Sequence, residues 1–306
     1  MPFSHKASCS PIIQESGKPL NKSKKSKKTT LKQAAFGGTC FSVEDLHKII
    51  REWNILHPRH NDKIILESKR PSSKELYAAI SAKMTNTDCK TEYCWVKKKM
   101  PERLSKKLIE NFRPEMPENW HRNNTEWLST SDINDVMHQY EDEFSNFKFL
   151  GAVPIDFDKE LAPNSCVSNN VCKLNLKKMK KASITKIGIV FNLDPHNKPG
   201  THWIAMFIDL DLMKIGFWDS YAFEPPAEVI ALISRMQSQA KKYWNRHMDV
   251  VRNKIRHQYK NSECGMYCIY FISQLLDGNT FEAVYNNIIR DDQMNQKRSL
   301  FFSVAK

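Results

Sequence analysis

Behind Ser42-Val43-Glu44-Asp45, apolar residues stand at Leu46, Ile49, Ile50 and Trp53, the spacing of one helical face. Ser42 three places before Asp45 reads as a capping box, with Asp in place of the preferred Glu, so a helix is expected to start there. Residues 74–84 form a second expected helix. Residues 131–144 form a third, with Ile133, Val136, Met137 and Tyr140 on one face. The stretch 101–117 reads as loop-rich and basic. From residue 184 the pattern shortens: 184–191, 202–208 and 214–218 are apolar runs of strand length. The Pro-Gly-containing loop 194–200 and the turn Asp209-Leu210-Asp211 separate them.

Pro225-Pro226 opens a helix on which Val229, Ile233, Met236 and Ala240 share a face. Residues 248–255 are a further strand candidate. Residues 265–276 are almost wholly apolar, as in a helix buried on all sides. No internal repeat is visible. These elements predict an α+β chain in three parts: a basic disordered tail (1–35), a mainly helical accessory arm (36–117) and a catalytic domain (118–306).

Composition changes the picture in two ways. The chain of 306 residues is 41% hydrophobic, enough for a sizeable core. It has no apolar run of transmembrane length and no signal-peptide pattern, so no membrane segment is expected. Under that reading the eight cysteines are expected to be free thiols, and none of their spacings makes a zinc site. Net charge is +13 and uneven. Residues 1–33 hold eight lysines against Glu15 alone, an excess of +7, with the run Lys22-Ser23-Lys24-Lys25-Ser26-Lys27-Lys28 at its centre. A second lysine-rich segment spans 173–186, and a third joins Lys97-Lys98-Lys99 to Arg103, Lys106 and Lys107. These are either solvated surface or a non-specific footprint for nucleic acid. No aromatics interleave with them in sequence, so sequence-specific binding is not expected.

The chemistry gathers in the last third, where His202, Asp219, Gln258 and Cys264 follow one another. An imidazole, a carboxylate, an amide and a thiol are the groups a cysteine hydrolase needs. His202 opens one expected strand and Asp219 closes the next, so antiparallel pairing would set them side by side. Asp209, Asp211 and Asn192 compete with Asp219 for the role of orienting the base. Cys264 starts the apolar helix, where free N–H groups and the helix dipole favour a thiolate and can hold an oxyanion. Taken singly, each residue has a structural reading: a core histidine, a turn aspartate, a buried cysteine such as Cys268 one turn later. Their joint order is what argues for a site.

That order resembles the ubiquitin-like-protein protease and adenain clan of cysteine peptidases, which show His-Trp, Asp or Asn, Gln, then Cys-Gly. The stretches Gly200-Thr201-His202-Trp203-Ile204-Ala205-Met206-Phe207-Ile208-Asp209, Ile255-Arg256-His257-Gln258 and Ser262-Glu263-Cys264-Gly265, with the tail Ile289-Arg290-Asp291-Asp292-Gln293-Met294, resemble, within that clan, the polyprotein-processing proteases of large DNA viruses such as African swine fever virus. Trp127-Leu128 before Asp132-Ile133 resembles the opening of SUMO-protease domains. In the swine fever enzyme Asn stands at the place of Asp219, so here the chain follows the SUMO-protease form.

The resemblance implies a mixed sheet packed on a central helix that starts at Cys264. It also implies an endopeptidase cleaving viral structural polyproteins after Gly-Gly in the virion and host cytoplasm, with no metal or organic cofactor. Trp203 is then the candidate lid over a narrow cleft, with Trp127 as a second substrate-binding residue. Alternatives are a protease specific for SUMO or other ubiquitin-like modifiers, a bacterial-effector-type acetyltransferase, and a non-catalytic basic scaffold. Ala35-Phe36-Gly37-Gly38-Thr39 is either a self-cleavage site or an ordinary turn into the first helix.

Overall fold

The computed structural model describes residues 9–11, 14–15, 33–85 and 87–303. The chain divides into two compact units, Met1–Glu118 with Ser299–Lys306, and Asn119–Arg298. Residues 299–303 thus group with the first unit, whereas the sequence reading attached them to the second.

In the first unit, α1 (Val43–Leu56) starts at Ser42 with the reciprocal bonds of a capping box. The Asp45 N–H donates to Ser42 Oγ and the Ser42 N–H to the Asp45 carboxylate, each at 3.1 Å. Ser72 and Glu75 start α2 (Ser73–Met84) in the same way. Next come α3 (Glu92–Lys99) and α4 (Glu102–Leu108). The loop expected over 101–117 is therefore corrected. Pro101 stands at the N-cap, where no donor is missed, and Leu104 and Leu108, four apart, are both buried.

The picture of residues 1–35 as one disordered tail is also corrected where the chain is described. Cys9 is buried, the Ser10 N–H donates to the Asn111 carbonyl at 2.9 Å, and β1 (Gln14–Glu15) pairs in parallel with β2 (Gln33–Ala34). The lysine run 22–28 lies outside the described residues.

Three disulfides overturn the expectation of free thiols: Cys9–Cys40, Cys89–Cys94 and Cys166–Cys172, with Cα separations of 5.2, 5.4 and 6.5 Å. Only Cys264 and Cys268 are free. The expectation rested on chain length and a missing leader, and neither sees which Cα atoms folding brings within bridging reach. The Gly38–Thr39 bond lies in a turn, with Gly38 at φ +140° and Thr39 buried. The Cys9–Cys40 bond would also keep a severed tail attached, so cleavage there would not by itself shed the charge.

The second unit is built on a five-stranded mixed sheet in the order β3 (Phe147–Pro154), β6 (Lys186–Asn192), β7 (Trp203–Asp209), β8 (Lys214–Trp218), β9 (Asp249–Arg252). The two outer pairings are parallel and the two inner ones antiparallel. Between β3 and β6 lie the short strands β4 (Glu160–Ala162) and β5 (Ser165–Cys166) and the helices α6 (Asn169–Cys172) and α7 (Leu176–Lys181). Strand β3 was not foreseen. Gly151, at φ +115°, sits in a register shift between Phe149 and Ala152, and such a bulge breaks the alternation that marks a strand in sequence.

All seven residues of β7 are buried, because helices cover both faces of the sheet. Ile204, Met206 and Ile208 join Ile215, Phe217 and α8 (Ala227–Trp244) in one core. The other face takes α5 (Thr130–Glu143), α9 (Cys264–Leu276) and α10 (Phe281–Asn286). Gly216 belongs to that face: a Cβ there would lie 2.2 Å from Phe281 Cε1 and 2.9 Å from Tyr285 Oη. Tyr285 resists moving, since its single hydroxyl proton lies between the carbonyls of Phe217 (3.1 Å) and Val251 (3.2 Å). Gly216→Ala is expected to cost about 1–3 kcal/mol by overpacking, read as a lowered melting temperature. An unchanged melting temperature would refute the close fit.

Candidate active site

The β7–β8 hairpin brings the first two groups together. Continuing the register Ala205↔Trp218 by three places sets His202 opposite Tyr221, and their rings stack at 4.8 Å. Asp219, directly after β8, lies beside the imidazole, with its Oδ1 2.8 Å from His202 Nε2. A carboxylate only accepts, so Nε2 carries the proton. Cys264 also acts on the charge of the ring, and Nδ1 is the ring nitrogen that Asp219 leaves open. His202 and Asp219 are both buried. Burial disfavours the imidazolium, yet the hydrogen bond to Asp219 and the influence of Cys264 outweigh it and raise the ring from 6.5 to about 9.

The competing side chains are occupied elsewhere. Asp209 accepts from the N–H groups of Asp211 and Leu212 in the turn, and Asp211 pairs with Lys180 at 3.2 Å. Asn192 accepts from Asp194 and Thr201.

Cys264 is the first residue of α9, whose N-cap, Glu263, makes no side-chain cap, so the first-turn N–H groups stay open. Cys268, one turn later, is fully buried, and burial pushes its thiol well above its ordinary value. A Cβ at Gly265 would lie 3.0 Å from Leu128 Cβ and 3.3 Å from Trp203 Cδ1, so these residues stand close over the start of the helix. Trp203 is 6% exposed and its indole N–H donates to the Leu128 carbonyl at 3.0 Å. Trp203, the candidate lid, is thus packed against the start of this helix. Trp127, 41% exposed, is the indole with open surface.

Gln258 is fully buried. Its N–H donates to the Ser220 carbonyl at 3.0 Å and its Oε1 accepts from the Ser220 hydroxyl at 2.6 Å. That contact turns the amide so that Nε2 is the remaining donor, and Nε2 has no partner among the described residues.

Sequence reasoning missed the residues that hold these groups. Ser220 fixes Gln258. Asn253, just past β9, holds Asp219 reciprocally: its Oδ1 accepts from the Asp219 N–H at 3.1 Å and its Nδ2 donates to the Asp219 carbonyl at 2.6 Å. Tyr221 covers the imidazole. The only sequence signal for Ser220 and Tyr221 is their place after Asp219, and Asn253 carries none.

The basic segment 173–186 also changes meaning. The ammonium groups of Lys177 and Lys242 lie 5.6 and 6.0 Å from the Tyr243 ring, and that of Lys180 lies 6.0 Å from Trp244. Lys241, Lys242, Arg246 and His247 line a cavity of about 610 Å³ at the end of α8. Aromatics absent from the lysine segment in sequence are thus supplied by another helix. The register Lys214↔Asp249 sets the start of β9, which follows this surface in the chain, at the sheet end away from Asp219.

Comparison with known proteins agrees with this geometry. Residues 157–302 match the family described as Ulp1 protease family, C-terminal catalytic domain. A protein of Acanthamoeba polyphaga mimivirus, named as a thiol protease, is 31% identical over 86% of this chain and 89% of its own length. A cysteine protease of African swine fever virus is 26% identical over 66% of this chain and 76% of its own length. The crystal structure of the African swine fever virus protease has the same fold, with a TM-score of 0.60 at 21% identity over 87% of this chain and 92% of that one. With the identity to the mimivirus protein running nearly the length of both chains and the catalytic-domain match covering the His202–Cys264 region, this chain belongs to the Ulp1 family of cysteine proteases.

Proposed function

We propose that the chain is an endopeptidase cleaving after Gly-Gly in viral structural polyproteins or core precursors during virion maturation. Cys264 attacks the scissile carbonyl, and His202 takes the thiol proton and returns it to the leaving amine. Asp219 orients the imidazole. Gln258 Nε2 and the Cys264 N–H hold the oxyanion. The observation that carries this reading is the Gln258 amide, a fully buried donor without a partner among the described residues. Such a group is costly unless something arrives to accept from it.

The closeness of Leu128 and Trp203 over Gly265 supports a narrow approach that favours glycine beside the scissile bond. The viral relatives support a polyprotein substrate met in the virion and the host cytoplasm. A panel of Gly-Gly-X peptides against Ala-Gly-X and Gly-Ala-X tests the specificity, and equal cleavage of all three would sink it. The family match to Ulp1 favours one second reading, a protease for SUMO-like modifiers. Cleavage of a SUMO fusion without cleavage of the peptides would select it.

The lysines around Tyr243 and Trp244 support non-specific docking on nucleic acid by phosphate contacts. Salt-dependent binding of duplex DNA that disappears in Lys177→Glu/Lys242→Glu, with peptide cleavage unchanged, is the expected result. Binding that is insensitive to these charges would refute it.

A further inference from the structure

The nucleophile's helix begins beside a carboxylate that does not do what its position invites. A side-chain oxygen at an N-cap can accept from the N–H groups of the first turn, and Glu263 makes no such bond. Both of its oxygens are drawn the other way. Arg298 Nε donates to Oε2 at 3.1 Å, and Arg298 Nη2 and Asn295 Nδ2 both donate to Oε1 at 3.0 Å. The pair is buried, with side-chain exposures of 4% for Arg298 and 1% for Glu263.

Arg298 is itself held. Its guanidinium lies 4.3 Å from the Trp120 ring centre, and Nη2 also donates to the Glu126 carbonyl at 2.6 Å. Asn295, in α11 (Asp291–Gln296), donates to the Asn124 carbonyl at 2.6 Å. The same tail steadies the loop between Gln258 and Cys264, for Asp291 accepts from the N–H groups of Tyr259 (2.8 Å) and Lys260 (3.1 Å).

A Glu263 side chain released from this hold would oppose catalysis in two ways. It could cap α9 and occupy the N–H groups an oxyanion needs. It would also set an unpaired negative charge next to the residue that bears the thiolate and the tetrahedral intermediate.

We propose that Arg298, assisted by Asn295, is a positioning residue that holds the Glu263 carboxylate off the first turn of α9 and so keeps its N–H groups free for the oxyanion. The inference rests on Cys264 as the nucleophile.

The test compares Arg298→Met with Glu263→Gln/Arg298→Met. Three readouts are followed: kcat and KM on a cleaved peptide, affinity for a peptide aldehyde that forms a tetrahedral adduct, and iodoacetamide labelling, which needs no oxyanion hole. Arg298→Met is expected to lower kcat on the order of 100- to 1,000-fold, the scale of a lost oxyanion donor. KM should stay within about twofold, as for an interaction made only in the transition state. Aldehyde affinity should fall in step with kcat while stoichiometric labelling of Cys264 persists. Removing the Glu263 charge in the double variant should restore both losses to within a few-fold of wild type.

If Arg298→Met does not fold, Arg298→Lys, which breaks the two-pronged hold but keeps a charge, is run with and without Glu263→Gln. Folded single and double variants that are equally slow would overturn the proposal. Turnover surviving in Cys264→Ala would instead overturn the catalytic reading beneath it, so the two failures are distinguishable.

Discussion

Cys264→Ala is expected to lower kcat on a cleavable Gly-Gly-X peptide by about 10⁶-fold, the scale of removing a nucleophile that acts as one unit with its base. No other thiol can take over. Six of the eight cysteines are in disulfides, and Cys268 is fully buried with its thiol held protonated by that burial. The fold should survive, since deleting one buried sulfur leaves only a small void. The measurement is single-turnover cleavage beside a melting curve. A folded variant retaining a hundredth of the activity would exclude Cys264 as the nucleophile.

Asp219→Ala is expected to cost about 10⁴-fold in kcat, as for the third member of a triad. It removes the carboxylate that holds Nε2 at 2.8 Å, so the imidazole loses both its orientation and the charge that favours its protonated form. Asp219→Asn keeps an amide oxygen that can accept from Nε2 but removes the charge. Its signature lies in the pH profile. The His202 pKa is raised to about 9, so kcat/KM should fall as pH rises through about 9, when the imidazolium that protonates the leaving amine is lost. In Asp219→Asn this alkaline limb should move to lower pH.

Stability should follow the same sign. The contribution of a raised histidine pKa is full below about 6.5 and is lost as pH climbs through about 9. An alkaline limb that stays in place in Asp219→Asn would show that the carboxylate does not set the charge of the ring.

Much of the fold was legible because its signals are local. The Ser42–Asp45 box and the apolar faces of α1 and α5 depend on residues three or four apart, and both helices start within a residue of the expected place. The His202–Asp219 contact was readable for a related reason. A short turn joins β7 to β8, so antiparallel pairing follows, and the chain between them leaves few alternatives. Strand β3 was not legible, since its bulge at Gly151 hides the alternation and its parallel partner β6 lies far along the chain.

By itself, then, the sequence determined the α+β class, pointed to His202, Asp219, Gln258 and Cys264 as candidate groups, and placed the thiol at a helix start, all carried by residue type and short spacing. Only the tertiary structure decided which cysteines pair and which surface the lysines of α7 share with Tyr243 and Trp244. It alone showed that Ser220, 38 residues before Gln258, turns the amide, and that Arg298, 35 residues after Glu263, draws the carboxylate away. The physical reason is that a hydrogen bond or disulfide between distant residues depends on where folding carries two side chains, and neither residue bears any mark of its partner until the backbone between them is placed.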